Sequence, residues 1–183
     1  MSILKFLGLA APQPAARTPE TETVRKIVQK LDQLPEDRAR YVAAYAYLLS
    51  RAAAADLHVT PEETASMERM VMEKGGLTED LAVLVVQIAK TQTHLFGGTE
   101  NYLVTREFEQ LATREQKIAL LDCLFAIAAT DEDITMVEDN VVKQIAGELK
   151  LSHFEYIEAR SRFRDYLSIL RPGRQRSGEA KHE

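Results

Sequence analysis

Apolar residues recur along this chain at intervals of three and four, the spacing that lines up one face of an α-helix. Val24, Ile27, Val28 and Leu31 form the first such stripe, over residues 22–34. A second segment opens near Pro35, a residue suited to a first helical turn, and runs to residue 55. Its apolar positions, among them Tyr41, Val42, Tyr45, Leu48 and Leu49, go nearly round the circumference, which predicts burial on nearly all sides. A third segment, residues 61–74, stops at Gly75-Gly76, a common helix terminator. A fourth, residues 79–96, carries Leu81, Leu84, Val85 and Ile88, and a fifth, residues 100–111, presents Tyr102, Leu103 and Phe108. The sixth opens after Thr113, which with Gln116 makes a capping-box pattern, and its run from 118 to 129 is again apolar nearly all round. The seventh covers residues 136–149, and the eighth starts after Ser152, paired with Glu155, and reaches residue 170. Sustained period-two alternation is absent. The pattern predicts an all-α protein of about eight helices in a single compact bundle.

Length and composition narrow this further. A chain of 183 residues supports one substantial core. Residues 10–21, with Pro12, Pro14 and Pro19 among alanines, read as a linker, and residues 171–183 read as a disordered basic tail. The domain is therefore expected over residues 22–170, preceded by an apolar segment and linker over residues 1–21. Residues 1–10 are apolar but fall short of the ~20 residues that span a bilayer. They read first as a segment that folds back or docks on a partner, then as a peripheral membrane contact, and last as a signal peptide. The net charge of −5, with Lys and Arg mostly alternating with acids, argues against a nucleic-acid-binding surface. Arg160, Arg162 and Arg164 read as the solvated face of the last helix. Cys123 is the only cysteine, which excludes a disulfide or thiolate cluster within one chain; it reads as a small buried thiol and fits a reducing, cytoplasmic setting.

The most informative feature is an internal echo. Residues 53–63 align with residues 128–138, pairing Asp56 with Asp131, Val59 with Ile134, Thr60 with Thr135 and Glu63 with Glu138. The register extends outward, pairing Leu49 with Leu124, Met67 with Val142 and Met70 with Ile145, and after a one-residue slip Leu77-Thr78 with Leu151-Ser152. Each half then has a buried helix, an acidic loop, an amphipathic helix and a capped fourth element. Thr60 and Thr135 are natural N-caps, with Glu63 and Glu138 placed to return a hydrogen bond. Asp56 and Asp131 fall at the end of a long helix, where the macrodipole disfavours a carboxylate, so loop N–H groups, a basic side chain or a cation should compensate.

Here the chain resembles the tellurite-resistance TerB-like family, which includes the N-terminal domain of the DnaJ-like membrane co-chaperone DjlA. The resemblance rests on the stretch FAIAATDEDITMVEDNVVKQIAGELKLSHFEYIEAR (residues 125–160), on its weaker echo over residues 47–74, and on the eight-helix layout. It implies a TerB-like bundle in a stress-response or tellurite-resistance setting, with acidic loops suspected of holding divalent cations. His58 departs from the acid or glycine usual in the first loop, and no J-domain follows, so co-chaperone activity does not carry over.

Two classes of function compete. In one, Asp56, His58 and Glu63 in the first loop and Asp131, Asp133 and Glu138 in the second hold a divalent cation. Carboxylates suit Ca²⁺ or Mg²⁺, Mn²⁺ is a further candidate, and His58 would suit a transition metal such as Zn²⁺. An EF-hand is excluded: the sixth and twelfth positions counted from Asp131 are Met136 and Val142, and from Asp56 they are Pro61 and Met67. In the other class the acids cap helices and order loops, and the domain is a protein-binding or membrane-proximal adaptor. An enzyme is not expected, because the chain has no HExxH, phosphate-cradling glycine loop or nucleophile elbow. The expected role is a non-enzymatic binding or scaffold module with a protein partner.

Overall fold

The computed structural model describes the backbone of residues 19–52, 61–91 and 98–170, and the side chains of these except 19–24, 62–63, 91, 98–102 and 131. Among the described residues there are eight α-helices and no strand. They are α1 (Pro19–Asp32), α2 (Glu36–Ala52), α3 (Pro61–Glu73), α4 (Glu79–Thr91), α5 (Gly98–Leu111), α6 (Arg114–Ala128), α7 (Met136–Glu148) and α8 (His153–Ser161). The all-α reading holds. None of these helices is long and apolar enough to cross a membrane.

Two helices organise the core, and both are the ones whose apolar residues encircle the axis. α2 buries Tyr41 through Leu49 without interruption and packs against α1, α4, α5, α6 and α7. α6 buries Leu120, Leu121, Cys123, Leu124, Phe125 and Ile127 and packs against α2, α3, α7 and α8. A helix with neighbours on every side has no solvent face to keep polar, which is why the sequence gives these two no polar stripe. Amphipathic helices surround them: α1 buries Ile27 and Leu31, one turn apart, and α7 buries Val142, Ile145 and Ala146. Of the pairs in the internal echo, Leu49 and Leu124, Met67 and Val142, and Leu77 and Leu151 are buried at both positions, whereas Met70 is only partly buried and its counterpart Ile145 is inside.

The aromatic side chains Tyr41, Tyr45 and Phe108 belong to the core. Tyr41 stacks on Phe108 at 5.1 Å and Tyr45 meets the same ring edge-on at 6.0 Å, joining α2 to α5.

Helix ends follow local chemistry closely. Thr113, Thr135 and Ser152 each cap a helix through a complete capping box, with Gln116, Glu138 and Glu155 returning the hydrogen bond. After α3 the chain turns at Gly76, whose φ of +64° lies in the left-handed region open to glycine. Gly75 fulfils a steric need: a Cβ there would collide with the Tyr45 hydroxyl and meet the Val71 carbonyl oxygen at 2.5 Å.

Two boundaries differ most from the sequence expectation. α1 begins at Pro19, ahead of the expected residue 22, because proline is at home where the first N–H lacks an intrahelical partner. α8 is only nine residues long rather than reaching residue 170. Beyond it the chain makes 3-10 turns at Arg164–Tyr166 and Ser168–Leu170, with Leu167 between them forming an isolated parallel bridge to Ile134. The Ile134 N–H donates to the Tyr166 carbonyl at 2.6 Å and the Ser168 N–H donates to the Ile134 carbonyl at 3.1 Å. Ile134 and Leu167 are both buried. A continued helix would keep Leu167 N–H and C=O neighbours for itself; breaking it satisfies the loop's backbone and buries two apolar side chains.

Candidate functional site

The second acidic loop links α6 to α7, and its shape comes from short-range hydrogen bonds. α6 tightens into a 3-10 turn at Ala129–Asp131, and the Glu132 N–H donates back to the Ala129 carbonyl at 3.0 Å. Glu132 then adopts φ +58°, reversing the chain direction. Asp133 follows half-buried, Ile134 plugs into the core through the bridge to Leu167, and Thr135 opens α7. Glu132 and Asp133 form no ion pair or side-chain hydrogen bond among the described residues.

Glu138 is occupied as a cap. Its Oε2 accepts from the Thr135 N–H at 2.8 Å and from the Thr135 hydroxyl at 2.7 Å, while the Glu138 N–H donates to the Thr135 Oγ1 at 3.2 Å. Both donors use the same carboxylate oxygen, so the cap leaves Oε1 outside the described hydrogen bonds. Capping and ligation are thus compatible roles for this side chain.

Asp139, next along α7, is a functional-looking carboxylate that sequence reasoning missed, and its charge is spoken for. Arg160 of α8 donates from Nε to both of its oxygens at 3.0 and 2.9 Å, and the Tyr156 hydroxyl donates to Oδ1 at 2.5 Å. Burial, together with the Asp139 carboxylate it donates to, pushes the Tyr156 phenol well above its ordinary value. The hydrogen bond to Asp139 likewise holds the Arg160 guanidinium more firmly protonated than usual. Arg160 is therefore no solvated face residue. Arg162 also has partners, reaching Asp122 at 2.5 Å and Glu158 at 3.4 Å. An Asp139–Arg160 separation of some twenty residues gives no local spacing signal, which is why the pair was not legible.

The remaining predicted ligands are placed less completely. The Asp131 backbone closes the 3-10 turn, and Glu63 is the third residue of α3, where an N3 capping glutamate belongs. Asp56 and His58 lie outside the described residues, as do residues 1–10, most of the predicted linker and the predicted tail. Among the described residues no group of three or more His, Cys, Asp or Glu is arranged to hold a metal ion.

A second polar cluster joins α2, α5 and α7. Arg51, at the C-terminal end of α2, grips Glu148 of α7 with two donors at 2.7 and 3.2 Å and also reaches the Thr105 hydroxyl on α5 at 2.9 Å. Gln144 completes the set, donating to Glu148 at 2.9 Å. Burial alone would raise the Glu148 pKa, but the hydrogen bonds from Arg51 and its neighbours outweigh it and hold the carboxyl below the usual range. Cys123 offers no nucleophile: burial pushes its thiol up to about 12.

A family model described as tellurite resistance protein TerB matches residues 42–161, from within α2 to the last residue of α8. No curated protein and no solved structure matches the chain.

Proposed function

The chain belongs to the TerB family of tellurite-resistance proteins, a tellurite-resistance-type helical module, and from that premise we propose that it works as a non-enzymatic binding and scaffold module. The observation that carries this reading is how the polar side chains are spent. Asp139, Glu148, Glu109 and Glu155 are each held by basic groups or caps, and the one thiol is buried. Groups committed to static ion pairs have neither the access nor the freedom to pass protons to a substrate. Glu132 and Asp133 stand apart from that pattern.

Divalent-cation binding at the acidic loops is the ligand chemistry this reading includes. In the second loop Asp131 and Asp133, with Glu132 beside them and Oε1 of Glu138, would supply hard oxygen donors of the kind Ca²⁺ or Mg²⁺ takes. In the first loop Asp56, His58 and Glu63 would be the corresponding donors, with His58 extending the choice toward Mn²⁺ or Zn²⁺. The competing reading, a protein-binding adaptor whose acids only cap helices, draws on the Thr135–Glu138 capping box.

Thermal unfolding of the full chain after chelation, then with each ion added singly, separates the two. A ligand that binds the native state raises the midpoint by mass action, by about 2.7 kcal/mol of stability at a hundredfold excess over Kd. A saturable rise with one ion, lost in Asp133→Asn with the unliganded midpoint unchanged, supports the cation site. A flat response to every ion assigns Asp131, Asp133 and Glu138 to loop order and capping.

A further inference from the structure

Around the Ile134–Leu167 bridge several large apolar side chains are exposed, beside the polar Glu132, Thr135, Arg164 and Asp165. Met136 and Val137, the first residues of α7, are 58% and 68% exposed. Tyr166, Ile169 and Leu170, flanking the bridge residue Leu167, are exposed as well, Ile169 at 59%. The two backbone hydrogen bonds of the bridge hold these stretches side by side, so the five side chains lie within three residues of one backbone junction. Single exposed apolar residues need no explanation, but a cluster of this size is the mark of a contact surface. Glu132 and Asp133, immediately before Ile134, add negative charge at its edge.

The chain carries a matching segment. Residues 1–10 include Ile3, Leu4, Phe6, Leu7 and Leu9, with Lys5 as the only charged side chain. They join α1 at Pro19 through residues 11–18, which span up to about 29 Å when extended. A domain of this size has a radius of gyration near ~15 Å, so that tether reaches most of its surface.

We propose that residues 1–10 dock on the patch formed by Met136, Val137, Tyr166, Ile169 and Leu170, with Lys5 facing Glu132 and Asp133. Five large apolar side chains cover five, and the single positive charge meets the acidic edge. Tethering favours this over a second copy, since a short linker supplies an effective concentration on the order of millimolar. A membrane is the poorer occupant: one lysine among apolar residues on a chain of net charge −5 offers little attraction to anionic lipid.

The test is a spin label at Ser2→Cys in the full chain, read by paramagnetic broadening of side-chain methyl signals; Cys123 is buried and does not compete for the label. The expected result is loss of the Met136, Val137, Ile169 and Leu170 methyl signals, independent of protein concentration, with recovery in Val137→Asp. Both Val137 and Ile169 are solvent-facing, so Ile169→Asp serves as a second variant that leaves the core intact. Broadening of another face, or none, overturns the proposal. So does broadening that grows with concentration or passes between labelled and unlabelled molecules, which would identify a second copy. Sedimentation with phosphatidylglycerol vesicles that depends on residues 1–10, with the patch signals intact in the absence of lipid, also overturns it.

Discussion

Tyr45 is fully buried, and its hydroxyl meets no well-formed hydrogen-bond partner among the described residues, the Cys123 thiol being the polar group beside it. Burial raises its pKa well above the ordinary tyrosine value, so it stays a neutral phenol at any working pH. A thiol is a weak partner for a buried phenol, and Tyr45→Phe is expected to leave stability unchanged or raise it by about 1 kcal/mol, measured by urea denaturation. The same hydroxyl dictates the residue facing it. Gly75→Ala drives a methyl into both Tyr45 Oη and the Val71 carbonyl, and overpacking of this kind costs about 1–3 kcal/mol. Combining the two substitutions should recover part of that loss, because the phenylalanine ring lacks the closer of the two clashing atoms. A strictly additive double mutant would show that Gly75 answers to the Val71 carbonyl alone. The sequence marked Gly75 as a helix terminator; its steric role was not legible, since nothing local ties residue 75 to residue 45.

Between elements, the Arg51–Glu148 clamp fixes α2 to α7, with Thr105 drawing in α5. Its side chains are about 10% and 17% exposed, dry enough that losing one partner strands the other. Glu148→Ala is expected to destabilise by about 3 kcal/mol, whereas Arg51→Met with Glu148→Leu should restore most of it, since apolar pairs replace buried ion pairs at little cost. Equal losses in the single and double variants would mean that the packing of these residues, and not their charge, holds the helices. The contrast with the capping boxes explains what could be read in advance. Thr113–Gln116, Thr135–Glu138 and Ser152–Glu155 each span three residues, so their geometry is written in adjacent letters. The buried stripes of α2 and α6 are equally local. Arg51 with Glu148, Asp139 with Arg160, and Ile134 with Leu167 join positions 97, 21 and some thirty residues apart, and no spacing rule points from one to the other. For the candidate loop, the cap on Glu138 was therefore legible and the bridge that shapes it was not.

For the whole molecule, the carboxylates that tie elements together set the response to acid. Glu109 accepts from Lys117 and Lys150 at 3.1 Å each, and those bonds, that from Lys117 foremost, hold its pKa below the ordinary value. The Ser152 hydroxyl and backbone do the same for Glu155, and Arg51 for Glu148. Because each folded-state pKa lies below the unfolded value of about 4.3, these groups contribute stability in full above that pH and lose it as pH falls through the folded values. The unfolding midpoint should stay level from about pH 8 to pH 5 and then drop, with a shallower drop in Glu109→Gln. A midpoint that declines steadily from neutrality would place the acid sensitivity elsewhere. The Ile134–Leu167 bridge carries a separate consequence. Two hydrogen bonds join the acidic loop to the last described turns of the chain, so the free energies of ordering the two are linked, and linkage is reciprocal. Whatever steadies the loop must slow hydrogen exchange at the Ser168 amide, and trimming the chain after Ser161 must weaken any ligand of the loop by the same factor that the ligand would have tightened the trimmed segment's hold. The far end of the polypeptide is, in thermodynamic terms, a gauge for the loop.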